Sequence, residues 1–367
     1  MATLAIQAGG SQLRVRNGRF VVASGKITLA ERPCHEITEI ICFGRVELTA
    51  EAREVAFAQG IEVLFFAPGG RYRGRFAAFE SSQGDRRLRQ FACCSSLDQR
   101  LAIARHLVAG KLANQRAILM RARRDGTAAE QLTPLIDGLK LVAGRLETAD
   151  SIALLMGMEG HGASLYFRAF PHLIKNPDFS FEGRNRRPPR DPANACLSFG
   201  YAILLGRAET AVRLAGFDPF IGLLHEAGRG KPALALDLME EFRPLIDRLV
   251  LRLINLRQLQ PTDFINPDAT LEAAGSLAEA EEPAAEPHAE AAEAAAAQPA
   301  DPRPAVWMGP AARAILLREL FDLWRTPFPY PQRGGRHPLG EIINMQALQI
   351  AACIDGREEP YRPFLSE

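Results

Sequence analysis

The stretch LALDLMEEFRP, residues 234–244, places three acids inside a strongly apolar run. Its apolar residues continue at helical spacing to Arg257, which predicts one buried helix over Leu234–Arg257. On such a helix Asp237, Glu240 and Glu241 stand at i, i+3 and i+4, so Asp237 can share a face with either glutamate. Acids in the first turns of a helix also complement its dipole, and this is the alternative interpretation of any one of them.

Helical periodicity covers most of the chain around this stretch, whereas short apolar runs broken by turn signals such as Asn17-Gly18 occupy the beginning. The other predicted helices are Thr49–Gln59, Leu97–Arg123, Gln131–Leu146, Ala149–Phe170, Pro192–Ala215, Ala311–Trp324 and Leu339–Ile354. The predicted strands are Leu4–Ala8, Gln12–Val15, Arg19–Ala23, Ile27–Leu29, Glu39–Phe43, Ile61–Phe66 and Tyr72–Phe76. The sequence therefore predicts an α+β protein, with a β-strand-rich domain at residues 1–84 and a larger all-α domain at residues 85–367.

Composition excludes several classes of protein. The 367 residues are 47% hydrophobic and 24% charged, as in ordinary globular proteins, and no apolar run is long enough to span a membrane. The first residues lack the pattern of a signal peptide. Six cysteines without a CxxC pair indicate free, buried thiols rather than a zinc or iron–sulfur site. These features predict a cytoplasmic protein.

The distribution of charge is uneven. Residues 267–301 carry nine acids and no Lys or Arg, so the formal net charge of +1 conceals a surplus of ten positive charges elsewhere. Pro283, Pro287 and Pro299 interrupt this Ala/Glu-rich segment, which predicts a mobile acidic insertion. Of the 44 basic residues 39 are Arg. Arg suits phosphate recognition, and an equally good explanation is a GC-rich genome.

Two further segments carry candidate metal ligands. Glu159 lies in an apolar predicted helix beside three glycines, where a charged Glu needs a cationic partner or a metal; pairing with an Arg is the alternative. His225 follows an apolar run, which is typical of a core histidine, and Arg229 breaks the HExxH zinc pattern that it would begin. Two carboxylates and an imidazole from separate helices can nevertheless hold a divalent cation.

A basic cluster precedes the His-bearing segment. It consists of Arg184, Arg186, Arg187 and Arg190. We expect this cluster to contact DNA phosphates, with Lys111 and Arg116 as weaker candidates; a basic loop facing solvent is the alternative.

Several blocks together resemble the CRISPR-associated integrase family, the catalytic subunit of the spacer-acquisition (CRISPR adaptation) complex. They are Ile40–Gly44, Lys111–Gln115, Met158–Phe170, Gly183–Pro189 and, the most specific, Gly216–Pro244. The resemblance runs nearly end to end. It implies a β domain that dimerises and a helical domain that houses a metal site. It also marks residues 267–301 as unusual, because the family connects those helices by shorter segments.

The resemblance implies a particular metal site. Glu159, His225 and Glu240 match the family's metal ligands, and Asp237 matches an additional catalytic acid close by. Many members have Asp at position 240, which leaves open whether Asp237 or Glu240 binds directly. The implied cofactor is Mg²⁺ or Mn²⁺, in agreement with an oxygen-rich ligand set.

The implied activity is that of a metal-dependent DNA endonuclease and integrase. The 3′-hydroxyl of a short foreign DNA fragment attacks a phosphodiester at the edge of a CRISPR repeat, so that the fragment becomes a new spacer. The implied partners are double-stranded DNA, a second copy of the chain and a small ferredoxin-like adaptation subunit. A general nuclease of branched repair intermediates and a non-catalytic DNA-binding scaffold stay open as alternatives.

Overall fold

The computed structural model describes residues 2–68, 70–78, 83–185, 188–228, 230–266, 303–357 and 360–366. Residues 2–76 form two four-stranded sheets and one helix. The strands are β1 (Ala2–Ile6), β2 (Ser11–Arg16), β3 (Arg19–Ser24), β4 (Ile27–Pro33), β5 (Ile37–Phe43), β6 (Val46–Leu48), β7 (Glu62–Phe66) and β8 (Tyr72–Phe76). The helix α1 (Ala50–Ala58) begins after Thr49, whose side chain accepts a hydrogen bond from the Ala52 N–H at 3.2 Å, as expected of an N-cap.

The two sheets enclose a small core of their own. One has the order β1-β5-β7-β8, with β1, β5 and β7 parallel, and the other has the order β4-β3-β2-β6. Leu13, Phe20 and Ile40 are buried between them, together with Ala52 and Ala56 of α1. The opposite face of the first sheet joins the larger helical core.

The rest of the described chain is mainly helical. Its helices are α2 (Gly84–Ser95), α3 (Leu97–Arg124), α4 (Ala129–Ala143), α5 (Ile152–Ala169), α6 (Pro192–Leu214), α7 (Ala233–Met239), α8 (Arg243–Asn255), α9 (Pro310–Arg325) and α10 (Leu339–Ile354). Single 3₁₀ turns lie at Cys34–Glu36, Leu146–Thr148, Phe170–Leu173 and Pro261–Asp263. Two short antiparallel pairs, β9 (Phe264–Ile265) with β10 (Trp307–Met308) and β11 (Pro327–Pro329) with β12 (Arg336–Pro338), lie among the helices. The predicted α+β class is confirmed.

The helix predicted over Leu234–Arg257 is wrong, because the chain breaks it into α7 and α8. Pro244 has no N–H, and in a continuous helix its ring would clash with the carbonyl of Glu240. The Glu240 and Phe242 amides instead donate to carbonyls three residues earlier, at 3.3 and 3.0 Å. The break falls at residues 240–242, so Asp237, Glu240 and Glu241 do not share a helical face.

A close contact between α3 and α5 sets the position of the central acids. A Cβ atom on Gly162 would lie 2.3 Å from Cδ2 of Leu112, so any other residue here would require the Leu112 side chain to shift. Glu159 lies one turn before Gly162, and Lys111 immediately precedes Leu112. The expectation that a glycine beside Glu159 serves close packing is met at Gly162, whereas Gly157 and Gly160 face open space.

The acidic segment 267–301 lies outside the described residues. Among the residues that are described, no helix is both long and apolar enough to cross a membrane. All six cysteines are free thiols, and five of them are buried. Burial raises the pKa of the Cys42 thiol to about 12, as expected of an inert core cysteine.

Candidate metal centre

Two carboxylates from distant parts of the chain converge on one buried ammonium. Lys111 of α3 forms ion pairs with Glu159 of α5 and with Glu240 in the break after α7, where its Nζ lies 2.6 Å from Oε2 of Glu240. The three side chains are between 2% and 8% exposed. Arg243 completes the group, because its Nε lies 2.9 Å from Oε1 of Glu240. We call Lys111, Glu159, Glu240 and Arg243 the lysine centre.

His225 stands beside the lysine centre and is held by Asp237. Its ring Nδ1 lies 2.7 Å from Oδ1 of Asp237, and its backbone N–H donates to the same oxygen at 2.8 Å. The other oxygen of Asp237 accepts the N–H groups of Leu223 and Leu224 at 2.5 and 3.0 Å. Asp237 thereby orients the imidazole and fixes the whole 223–225 loop.

The electrostatics of His225 show how close the other acids are. Burial acts to lower the pKa of the imidazole, but the hydrogen bond and charge of Asp237 raise it, and so do the charges of Glu240 and Glu159. Together these effects raise the pKa of His225 above its usual value of 6.5. Both carboxylates of the lysine centre therefore lie within electrostatic reach of the ring.

Gly222 allows Asp237 to approach the loop. A Cβ atom at this position would lie 2.6 Å from the carbonyl oxygen of His225 and 2.9 Å from Oδ2 of Asp237. A side chain there would push apart the two residues that the loop brings together.

Glu241 faces away from the lysine centre into a separate buried network. Its carboxylate accepts hydrogen bonds from the Tyr361 hydroxyl at 2.7 Å, the Phe364 N–H at 2.6 Å and the Gln346 amide at 3.0 Å. Burial raises its pKa to about 7, although these three donors oppose the shift. We call Glu241, Gln346, Tyr361 and Phe364 the docking centre, because it docks the segment 361–366 onto the helices.

The donors present fit a hard divalent cation. Glu159 and Glu240 offer carboxylate oxygens around a position that already holds a positive charge, and the Asp237 contact at Nδ1 makes Nε2 the ring nitrogen of His225 that would bind a metal. Within the described part of the chain, no three His, Cys, Asp or Glu side chains stand so that they could hold one ion together. The ammonium of Lys111 lies where the two carboxylates meet, so a shared ion requires that ammonium to move.

The basic cluster is described only in part, because Arg186 and Arg187 lie outside the described residues. Arg184 points inward: its guanidinium donates to Oδ1 of Asn194 at 2.7 Å and lies 5.5 Å from the centre of the Tyr201 ring. Arg190 donates to the Arg303 carbonyl. These contacts give Arg184 and Arg190 structural partners, which favours a role in shaping the loop over the expected phosphate contact.

Sequence reasoning missed two features of this site. Lys111 was named as a weaker candidate for a phosphate contact, yet it is 6% exposed and lies between the two acids. The sequence offered a partial signal for the burial of Lys111, though not for its partners, because Lys111 and Gln115 continue the helical spacing of Ala104, Leu107 and Val108 in α3. Tyr361 and Phe364 gave no comparable signal, since contacts across more than a hundred residues leave no local pattern.

Fold and site together define a class: an α+β protein whose helical part buries two carboxylates around a lysine ammonium, beside an imidazole that an aspartate orients. Residues 4–280 match the family model described as "CRISPR associated protein Cas1". The chain belongs to the Cas1 family.

Relatives cover almost the whole chain. "CRISPR-associated endonuclease Cas1 1" of Thermus thermophilus is 34% identical over 99% of this chain and 98% of its own length. "CRISPR-associated endonuclease Cas1 2" of Rhodospirillum rubrum is 38% identical over 71% of this chain and 78% of its own length. The chain is thus a member of an endonuclease family, and nucleases of this family are metal-dependent.

Two solved structures share the fold. A Cas1 protein from Thermotoga maritima superposes with a TM-score of 0.73 at 23% identity, covering 100% of both chains. A "Casposase bound to integration product" superposes with a TM-score of 0.76 at 19% identity, covering 99% of this chain and 93% of the other. At these identities the likeness demonstrates a common architecture.

Proposed function

We propose that this chain is a divalent-metal-dependent DNA endonuclease and integrase that inserts short foreign DNA fragments as spacers into a CRISPR array. The observation that supports this most is the convergence of Glu159 and Glu240 on one buried cationic position beside an oriented His225. Membership of the Cas1 endonuclease family supplies the reaction class.

In this proposal Glu159, His225 and Glu240 hold Mg²⁺ or Mn²⁺. The bound ion would supply charge stabilisation at the phosphodiester under attack. Asp237 orients the imidazole and does not bind the ion. Its two carboxylate oxygens already accept hydrogen bonds from three backbone N–H groups, and one of them contacts the ring Nδ1. This division of roles favours Glu240 over Asp237 as the direct ligand.

The reaction exchanges one phosphodiester bond for another. The 3′-hydroxyl oxygen of the fragment bonds to phosphorus and gives up its proton, while the bond from phosphorus to the 3′-oxygen of the repeat strand breaks and that oxygen takes up a proton. Water in place of the 3′-hydroxyl gives simple cleavage. The protein's contribution is to align both oxygens at a buried, preorganised site.

Double-stranded DNA, both the foreign fragment and the repeat, is the substrate in this proposal, and the protein acts in the cytoplasm. The surplus of ten positive charges outside residues 267–301 supports DNA binding. Arg186 and Arg187 stay predicted phosphate contacts. Replacing each by Ala should reduce the slope of log affinity against log salt by about one. An unchanged slope would exclude a direct phosphate contact.

Assembly as a homodimer with a small ferredoxin-like subunit completes the proposal. The β region, residues 1–84, offers a surface for dimerisation: β4 is an edge strand on which Ile27 and Leu29 are 68% and 48% exposed. An apolar edge of this kind is suited to pairing with a second copy. Replacing both residues by Lys should shift the mass in solution from dimer to monomer, and an unchanged dimer would place the interface elsewhere.

Strand transfer tests the function directly. Protein, small subunit, a labelled 3′-hydroxyl fragment and a supercoiled plasmid carrying the repeat are combined with Mn²⁺ or EDTA. We expect metal-dependent joining of the label to the plasmid, abolished in His225→Ala and retained in His35→Ala, which removes an exposed histidine of the β region. Cleavage without joining would favour a general nuclease, and binding without either reaction would favour a scaffold.

A further inference from the structure

Lys111 occupies the position that a shared cation would take. Its ammonium contacts Glu159 and Glu240 at once, and all three side chains are buried. Two carboxylates this close, removed from water, need a positive charge between them in order to stay ionised. Lys111 supplies that charge in the absence of metal.

Charge balance argues that lysine and metal exclude each other. Lys111 and Arg243 together neutralise Glu159 and Glu240, so a divalent ion added to the intact group would leave two uncompensated positive charges in a buried site. If Lys111 leaves as the ion enters, the surplus at this group is only one charge. Exchange is therefore favoured over addition.

Of the two cations, Lys111 is the one suited to leave. Arg243 is fixed by its ion pair, by the Tyr201 ring at 4.6 Å and by the Met239 sulfur at 3.7 Å. A lysine, in contrast, carries a compact charge on a flexible four-carbon stem that can swing without loss of backbone structure.

We propose that Lys111 is an internal exchange cation: it holds Glu159 and Glu240 in place in the metal-free protein and is displaced when the metal binds. The inference rests on the proposed metal site and adds a positioning residue that also competes with the metal. It makes metal affinity dependent on a residue that is not itself a ligand.

Mn²⁺ titration of the full chain by calorimetry, at neutral pH, tests the exchange. Lys111→Met should lower the melting temperature of the metal-free protein and tighten Mn²⁺ binding by about tenfold or more, since the competing ammonium is gone. Lys140→Met is the matched control, because Lys140 is exposed on α4. Folded Lys111→Met protein that binds Mn²⁺ no more tightly than wild type would overturn the exchange.

A second measurement needs no variant at position 111. The chain has only five lysines, so reductive methylation followed by mass spectrometry resolves each one. In EDTA, Lys111 should be protected while the exposed Lys26 reacts, and saturating Mn²⁺ should raise labelling of Lys111 alone. Protection of Lys111 that persists in Mn²⁺ would overturn the exchange.

The outcomes separate this inference from the proposed function. Mn²⁺ binding that is lost in Glu159→Gln but unaffected by Lys111→Met would leave the metal site standing and remove only the exchange. Failure of both wild type and Lys111→Met to bind Mn²⁺ would contradict the metal site itself.

Discussion

Two neighbouring glutamates, Glu240 and Glu241, are both buried yet belong to opposite kinds of environment. Glu240 lies in the lysine centre, where two cations contact it. Glu241 lies in the docking centre, where a hydroxyl, a side-chain amide and a backbone N–H, all neutral, donate hydrogen bonds to it. The break between α7 and α8 turns the two side chains in different directions.

The difference shows that two consecutive residues can have different roles, one in the proposed metal site and the other in holding a segment of the chain. Cationic partners stabilise a carboxylate in its charged form, which is the form that the proposed metal site requires. Neutral donors only partly offset desolvation, so the pKa of Glu241 rises to about 7 and its carboxyl serves to hold the segment 361–366. Adjacent acids of the same type thus have separate tasks.

The largest effect should come from replacing each glutamate by its amide. Glu240→Gln removes a proposed metal ligand and should lower the strand-transfer rate by on the order of 100-fold or more. Glu241→Gln should leave the rate within about tenfold at temperatures where the variant is folded, because its side chain faces away from the reaction. Gel-based strand-transfer kinetics measure both, and equal losses would show that the two centres are not separate.

The docking centre should matter chiefly for stability. Phe364 is buried and stacks on Phe242, with ring centroids 5.3 Å apart. Phe364→Ala should lower the free energy of unfolding by about 3–5 kcal/mol, measured by urea denaturation. The matched control is Leu365→Ala, since Leu365 is 49% exposed and its loss should be nearly neutral. A small effect at Phe364 would mean that the segment is held from elsewhere.

The raised pKa of Glu241 predicts a pH dependence. Because the folded pKa of about 7 exceeds the ordinary 4.5, the unfolded chain loses its proton first as the pH rises. Protonated Glu241 therefore contributes its full stabilisation of the folded state below pH 4.5. As the pH rises to 7 this contribution is lost, and the free energy of unfolding falls by at most about 3 kcal/mol. Urea denaturation of wild type and Glu241→Gln at about pH 5.5 and about pH 7.5 isolates the contribution. Parallel stability curves for the two proteins would contradict it.

The smallest effects are expected from replacing either of two glycines near the lysine centre by alanine. Gly222→Ala forces a methyl group against Asp237 and should cost about 1–3 kcal/mol in the free energy of unfolding, together with weaker Mn²⁺ binding. Gly157→Ala places a methyl group in open space on α5 and should stabilise by about 1 kcal/mol or less. Thermal denaturation distinguishes the signs, and a neutral Gly222→Ala would show that the loop adapts.

The sequence predicted the scaffold well because local signals dominate there. Strands β1 to β5, β7 and β8 and the helices α3, α5, α6 and α10 match predicted segments to within a few residues, because turns, caps and apolar periods are local features of the sequence. The short strand β6 was not predicted. The break at residues 240–242 escaped because the apolar period continues through it. Pro244 was the available signal. In a continuous helix its ring would clash with the carbonyl of Glu240, four residues earlier.

The acids and the histidine of the site could be predicted from the sequence, whereas the lysine that pairs with two of the acids could not. Glu159, His225, Asp237 and Glu240 do lie close together, as their resemblance to family motifs implied. Their assignment as metal ligands or catalytic acids stays a prediction. That Lys111 pairs with two of them depends on how tightly α3 approaches α5 at Gly162, a tertiary distance that no local pattern encodes.

The docked segment also determines when the helical core can close during synthesis. Phe364 binds Glu241 across 123 residues, and its carbonyl accepts from Asn114 across 250. During translation Glu241 is therefore synthesised more than a hundred residues before its hydrogen-bond donors. Until those donors emerge, its carboxylate stays exposed to water. Ribosome-bound chains stopped before residue 361 should accordingly be more sensitive to proteolysis near residue 241 than released full-length protein.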